Sequence, residues 1–124
     1  GAGTIFLSDP VVTAFEAAST CTIIKSPWKD VIIHASPPTA MVSGVPPIPV
    51  TADYFFWAQT HGPASVLTDG TVVIGEQVRG AEGSADGAVA ALDYDESGRD
   101  EAVVGYVMSV AATTKYSTIF LTIE

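Results

Sequence analysis

Basic residues are scarce in this chain, and so is charge of either sign. Five Lys and Arg stand against fourteen Asp and Glu, for a formal net charge of −9. Such a molecule repels phosphate backbones and anionic bilayers, so direct nucleic-acid partners and membrane surfaces are not expected. Charged residues make up only 15% of the chain, against roughly 25% in an ordinary soluble domain. A membrane span would account for the deficit, but it needs about 18 or more nearly continuous apolar residues. The best stretch, residues 103–112, is short, rich in valine and interrupted by Gly105 and Ser109. With a span set aside, the shortage of charge points to a surface that neighbouring subunits cover.

Cysteine is nearly absent as well. Cys21 is alone, so no intrachain disulfide forms, and its place in the run Cys21-Thr22-Ile23-Ile24 reads as that of a small buried residue. The first residues contain no basic region followed by an apolar one, so no secretory signal is read. The missing initiator Met fits a processed protein, a tag remnant or a segment that begins part-way along a longer chain.

Chemistry-bearing patterns are also wanting. His34 and His61, the two histidines, have no metal-ligand spacing with Cys21 or a carboxylate. No G-x-S-x-G elbow occurs, and Gly75, Gly80, Gly83 and Gly87 build neither a dinucleotide fingerprint nor a P-loop. No enzyme activity and no cofactor are therefore expected. Asp93, Asp95, Ser97 and Gly98 match positions 1, 3, 5 and 6 of a calcium loop, but Val104 stands where a bidentate Glu is required. Asp93, Asp95 and Ser97 remain a weak calcium candidate beside the plainer reading of a solvated acidic turn.

What the chain does hold is apolar residues, at 48%, in 124 residues, which is one domain's worth. The densest structural signals lie in residues 54–75. Tyr54, Phe55, Phe56 and Trp57 open a run with strand composition, His61-Gly62-Pro63 breaks it, and Asp69-Gly70 carries the residues of a tight hairpin turn between residues 64–68 and 71–74. Packing in the core or at a subunit contact is the expectation for the four aromatics; a sugar-stacking platform is the alternative.

Elsewhere residues 4–7, 20–25 and 30–34 read as short strands. Residues 11–18 fit a strand or two helical turns after a Ser8/Asp9 cap, with strand preferred. Residues 75–87, with four glycines, read as a surface loop or short edge strand, and residues 88–93 as a further strand. Residues 103–110 and 117–123 form an expected antiparallel pair, with Ile119, Leu121 and Ile123 sharing one face.

Prolines crowd residues 35–51, where Pro37, Pro38, Pro46, Pro47 and Pro49 remove ladder donors and fix φ. This stretch reads as an extended arm, whose apolar residues need a surface belonging either to a neighbour or to the parent core. The expected organisation is N-terminal strands over residues 1–34, the arm over 35–51 and a β core over 52–124, all one structural domain. The fold class is all-β, a single compact barrel or sandwich of short antiparallel strands with a Pro-rich arm. Pro37, Pro38, Met41, Val45, Pro46, Pro47, Ile48, Pro49, Tyr54 and Phe56 are the expected interface residues. Deleting residues 37–49 is expected to leave a folded domain that no longer assembles.

The run YFFWAQTHGPASVLTDGTVVIG, followed after the acidic loop by VGYVMSVAATTKYSTIFLTI, resembles small structural proteins of tailed bacteriophages encoded with the head genes, of the capsid decoration (cement) type. The likeness covers residues 54–123. It implies a virion location on the capsid surface, β-rich trimers over three-fold or quasi-three-fold positions, and the major capsid protein and other copies of the chain as partners. The alternatives are a segment of a larger phage structural protein, such as a major capsid protein or fibre, and a carbohydrate-binding β-domain.

Overall fold

A computed structural model describes residues 7, 9–24, 26–83, 85–92, 102–112 and 114–123. The fold is all-β, with no helix among the described residues. Five strands, β1 (His61–Leu67), β2 (Gln77–Gly80), β3 (Val89–Ala91), β4 (Val103–Ser109) and β5 (Tyr116–Thr122), form one antiparallel sheet in the order β1-β5-β4-β2-β3.

The expected pairing of the two C-terminal strands is present. β4 and β5 run antiparallel with Val107 opposite Ile119 and Gly105 opposite Leu121. Ile119 and Leu121 are fully buried, as the period-2 pattern requires, and Ile123 packs against the same cluster from a half-buried position. Gly105 is needed here for close approach, because a Cβ would overlap the Phe120 carbonyl of β5.

Buried residues of all the inward faces meet in one cluster of Val66, Val72, Val78, Val89, Val104, Val107, Ile119 and Leu121. The sheet curls until its two edges touch. Thr68, just past β1, makes a parallel bridge to Val89 of β3, and Asp69 N donates to Val89 O at 2.8 Å. Thr68 is itself buried and satisfied: its hydroxyl donates to Lys115 O at 2.9 Å, while its carbonyl accepts from Thr114 N at 2.9 Å.

Several expected elements are not there. Asp69-Gly70 does turn, with Gly70 at φ 82°, but residues 71–74 do not return along β1. They have no slot: β5 pairs with β1 along its whole length, and the other edge is closed by the Val89 bridge and by Gln59. His61-Gly62-Pro63 is the start of β1 and not a break, since an edge strand tolerates a proline that lacks a ladder donor. The glycine-rich stretch read as a surface loop or short edge strand supplies β2, which lies inside the sheet between β4 and β3 and not at its edge.

No strand forms among the described residues before β1. Residues 11–18, 20–24 and 30–34 carry strand-like composition but enter no strand ladder, and every described residue from 9 to 24 is exposed. Cys21 is exposed with them, contrary to the buried position its neighbours suggested. Composition favours extended backbone, but only a ladder partner makes a strand of it.

The Pro-rich stretch divides in two. Its first part lies on the sheet. His34 accepts from Gly87 N through its carbonyl at 2.8 Å, its ring covers Gly80, and its Nε2 donates to Ala40 O at 3.0 Å. Ser36 N donates to Asp86 Oδ1 at 2.9 Å, and Val42 and Val45 pack against the core cluster. Deleting residues 37–49 would take Val42 and Val45 from the core's own cover, which argues against the expectation that the remainder folds without them. From Pro46 onward the chain leaves the sheet.

Candidate interface

Between Val45 and Gln59 the chain makes an excursion in which every residue from 46 to 58 is exposed. Its base is tightly closed. Val45 N donates to Gln59 O at 2.9 Å and Gln59 N to Val45 O at 2.8 Å, an isolated antiparallel bridge. Gly44 and Ala58 cross just below it, so closely that a Cβ on Gly44 would sit 2.8 Å from that of Ala58. The Gln59 side-chain amide then donates to His61 O and Pro63 O, each at 2.9 Å, fixing the return into β1. At the far end, a turn at Ala52-Asp53 places Asp53 in the left-handed region at φ 65°, which short polar side chains tolerate.

The outgoing limb carries Pro46, Pro47, Ile48, Pro49 and Val50, and the returning limb Tyr54, Phe55, Phe56 and Trp57; Asp53 is the one charged residue of the excursion. Phe55 is 108% exposed, Trp57 89%, Tyr54 72% and Ile48 67%. Aromatic side chains carry about 150–250 Å² each, so Tyr54, Phe55 and Trp57 at these exposures present on the order of 500 Å², a large part of the roughly 800 Å² that each partner contributes to a standard interface. Monomers rarely expose a contiguous apolar surface of that size. Of the two places expected for the aromatics, the core or a subunit contact, the first is not met: Tyr54, Phe55 and Trp57 lie outside the chain's own core.

A second apolar surface runs along the N-terminal stretch, where Val12, Phe15, Ile23, Ile24, Trp28, Ile32 and Ile33 are all exposed. Ser43 Oγ donates to Pro27 O at 3.0 Å, which ties this stretch to the Pro-rich segment.

Of the residues expected at an interface, Met41, Pro46, Pro47, Ile48, Pro49, Tyr54, Pro37 and Phe56 are exposed, Phe56 barely so at 37%. Pro38 and Val45 are half-buried, and Val45 faces the core. Phe55 and Trp57, more exposed than Tyr54 and Phe56, are absent from that interface set, as are the isoleucines before His34. Their signal was present: apolar residues at consecutive positions, as in Ile23-Ile24 and Val31-Ile32-Ile33, lack the polar alternation of a strand with one solvated face. Asp93, Asp95 and Ser97 lie outside the described residues. Among the described residues no group of three or more His, Cys, Asp or Glu is placed to hold a metal, and no helix is long and apolar enough to cross a membrane. No protein-family model, curated protein or solved structure matches the chain.

Proposed function

We propose that this chain is a non-enzymatic structural subunit that works by being covered, and that its setting is a phage capsid which it decorates and stabilises. One observation carries the reading: a folded β unit that leaves a closed-based apolar excursion at residues 46–58 wholly outside its own core. Isolated, that surface is unfavourable in water; against a capsid subunit it contributes at about 25 cal/mol per Å² buried. The resemblance of residues 54–123 to head-associated proteins supports the capsid setting, and the low charged fraction supports extensive contact. Many copies, each held by modest contacts, add as avidity on a lattice. The test is a titration of purified chain onto expanded capsids that lack it, reading co-sedimentation and the temperature of capsid disruption. A saturable rise in that temperature is the expected result; chain that stays in the supernatant rejects the proposal.

The exposure of Phe55 and Trp57 also favours a second reading, carbohydrate binding by aromatic stacking. It is the poorer fit, because a sugar site needs several placed polar groups beside its stacking face, and after Asp53 the returning limb offers only the Tyr54 hydroxyl and the Trp57 indole N–H. A glycan array without signal disposes of it.

A further inference from the structure

The two uncovered apolar surfaces of this chain carry charge of opposite sign. On the excursion Asp53 is the one charged residue, and it stands at the turn, followed by Tyr54, Phe55 and Trp57. On the N-terminal stretch the charge is basic. The chain has five basic residues in all, and two of them, Lys25 and Lys29, bracket Ser26-Pro27-Trp28, where Lys29 N closes a turn by donating to Ser26 O at 3.2 Å. Apolar side chains surround that turn: Ile23, Ile24, Trp28, Ile32 and Ile33 are all exposed, Ile24 at 86% and Ile32 at 83%. Neither Asp53 nor Lys29 has an ion-pair partner among the described residues, whereas Asp30, the acid beside Lys29, is already engaged.

We propose that the N-terminal surface around Lys29 is the seat for the excursion of a second copy, reciprocally, in a two-fold dimer that covers the excursion while the chain is off the capsid. The inference rests on the reading of the excursion as a surface to be covered, and names what covers it in free chain. Charge selects a second copy. On a molecule of net charge −9 most pairs of surfaces repel, and the turn bracketed by Lys25 and Lys29 is where an acid-tipped apolar loop of the same chain is attracted instead. The opposite charges set register, and the apolar area supplies the energy. Area selects reciprocity. Tyr54, Phe55 and Trp57 offer on the order of 500 Å², short of the roughly 800 Å² per partner of a standard interface; adding a comparable area from the N-terminal surface of the same copy brings the total to about 1,000 Å². Placement agrees, because Ser43 Oγ, at the foot of the excursion, donates to Pro27 O in the basic turn at 3.0 Å. The two surfaces therefore spring from neighbouring points, and a two-fold axis beside them carries each excursion to the other copy's turn. They do not cover each other within one copy, since both are exposed in it.

Reversed charges in the full-length chain test the pairing directly. Lys29→Glu alone, or Asp53→Lys alone, sets like charges together at both contacts of the dimer and should raise its Kd roughly tenfold or more, with circular dichroism unchanged. An equimolar mixture of the two variants should dimerise like wild type. In the mixed dimer Asp53 of one copy meets Lys29 of the other, and the two substituted positions meet with opposite charges as well. Sedimentation velocity and native mass spectrometry over a dilution series should show wild type passing from the 12.8 kDa monomer to twice that mass and stopping there. Wild type that stays monomeric or grows past a dimer, single variants that dimerise like wild type, or a mixture no tighter than its components each overturn the proposal. A wild-type monomer that still raises the disruption temperature of capsids rejects this dimer alone, whereas a dimer with this charge dependence that ignores capsids rejects the capsid setting alone.

Discussion

Substituting Gly80→Ala tests whether residues 34–45 belong to the fold. Gly80 sits in β2, and a Cβ there would overlap the His34 ring. The ring has little freedom to retreat, because its Nε2 donates to Ala40 O at 3.0 Å and its backbone carbonyl accepts from Gly87 N at 2.8 Å. Overpacking of this kind costs about 1–3 kcal/mol, which in a domain of this size lowers Tm by roughly 5–20 °C. His34→Ala alone forfeits ring packing and one hydrogen bond, about 1 kcal/mol. The double variant discriminates. With the ring gone, alanine at position 80 meets nothing of His34, and its restriction of the unfolded chain favours folding by about 0.4–1 kcal/mol. Gly80→Ala should therefore be neutral or stabilising in the His34→Ala background, a coupling of at least about 1 kcal/mol in a double-mutant cycle measured by chemical denaturation. Additive losses would refute the docking of His34 on β2.

Other consequences are simpler. Leu121→Ala, at a fully buried position, should cost about 2–5 kcal/mol, read from the denaturation midpoint at constant m-value. Removing residues 1–25 should leave melting nearly unchanged, while deleting residues 37–49 strips Val42, Val45 and the Val45–Gln59 bridge and should cost about 3 kcal/mol or more; equal stability of the two would contradict the division drawn here. The pair Phe55→Asp and Trp57→Asp should change stability by no more than about 0.5 kcal/mol yet abolish capsid binding in the co-sedimentation assay. Cys21, exposed in the isolated chain, should react quickly with a maleimide and slowly once the chain is assembled.

Legibility in the sequence followed the ladder. β5 was plain because alternation over residues 117–123 had a true inside and outside, with Ile119 and Leu121 taking the inside. β2 was hidden because QVRG offers a single apolar residue, Val78, and owes its strand to partners on both sides. The aromatic run at 54–57 misled for the opposite reason: it has every local preference for a strand and no neighbour to pair with. Asp69-Gly70 supplied the turn, but β5 takes one side of β1 and the outer side is capped at both ends by Gln59 and by the Thr68–Val89 bridge, so residues 71–74 do not return along it. The excursion was partly legible, since prolines marked its outgoing limb. The returning limb reads as core or subunit contact because large aromatics are ordinarily covered, and only the tertiary arrangement places them outside the chain's own core.

The central claim, that the excursion at residues 46–58 is a surface meant to be covered, reduces to the environment of Trp57. The chain has two tryptophans, Trp28 and Trp57, so Trp28→Phe leaves Trp57 as the sole reporter. In dilute isolated chain its emission should resemble that of tryptophan in water and be fully quenched by iodide; on binding to capsids it should shift to the blue and become protected. Blue-shifted, protected emission in the dilute monomer, or emission that assembly leaves unchanged, would contradict the account.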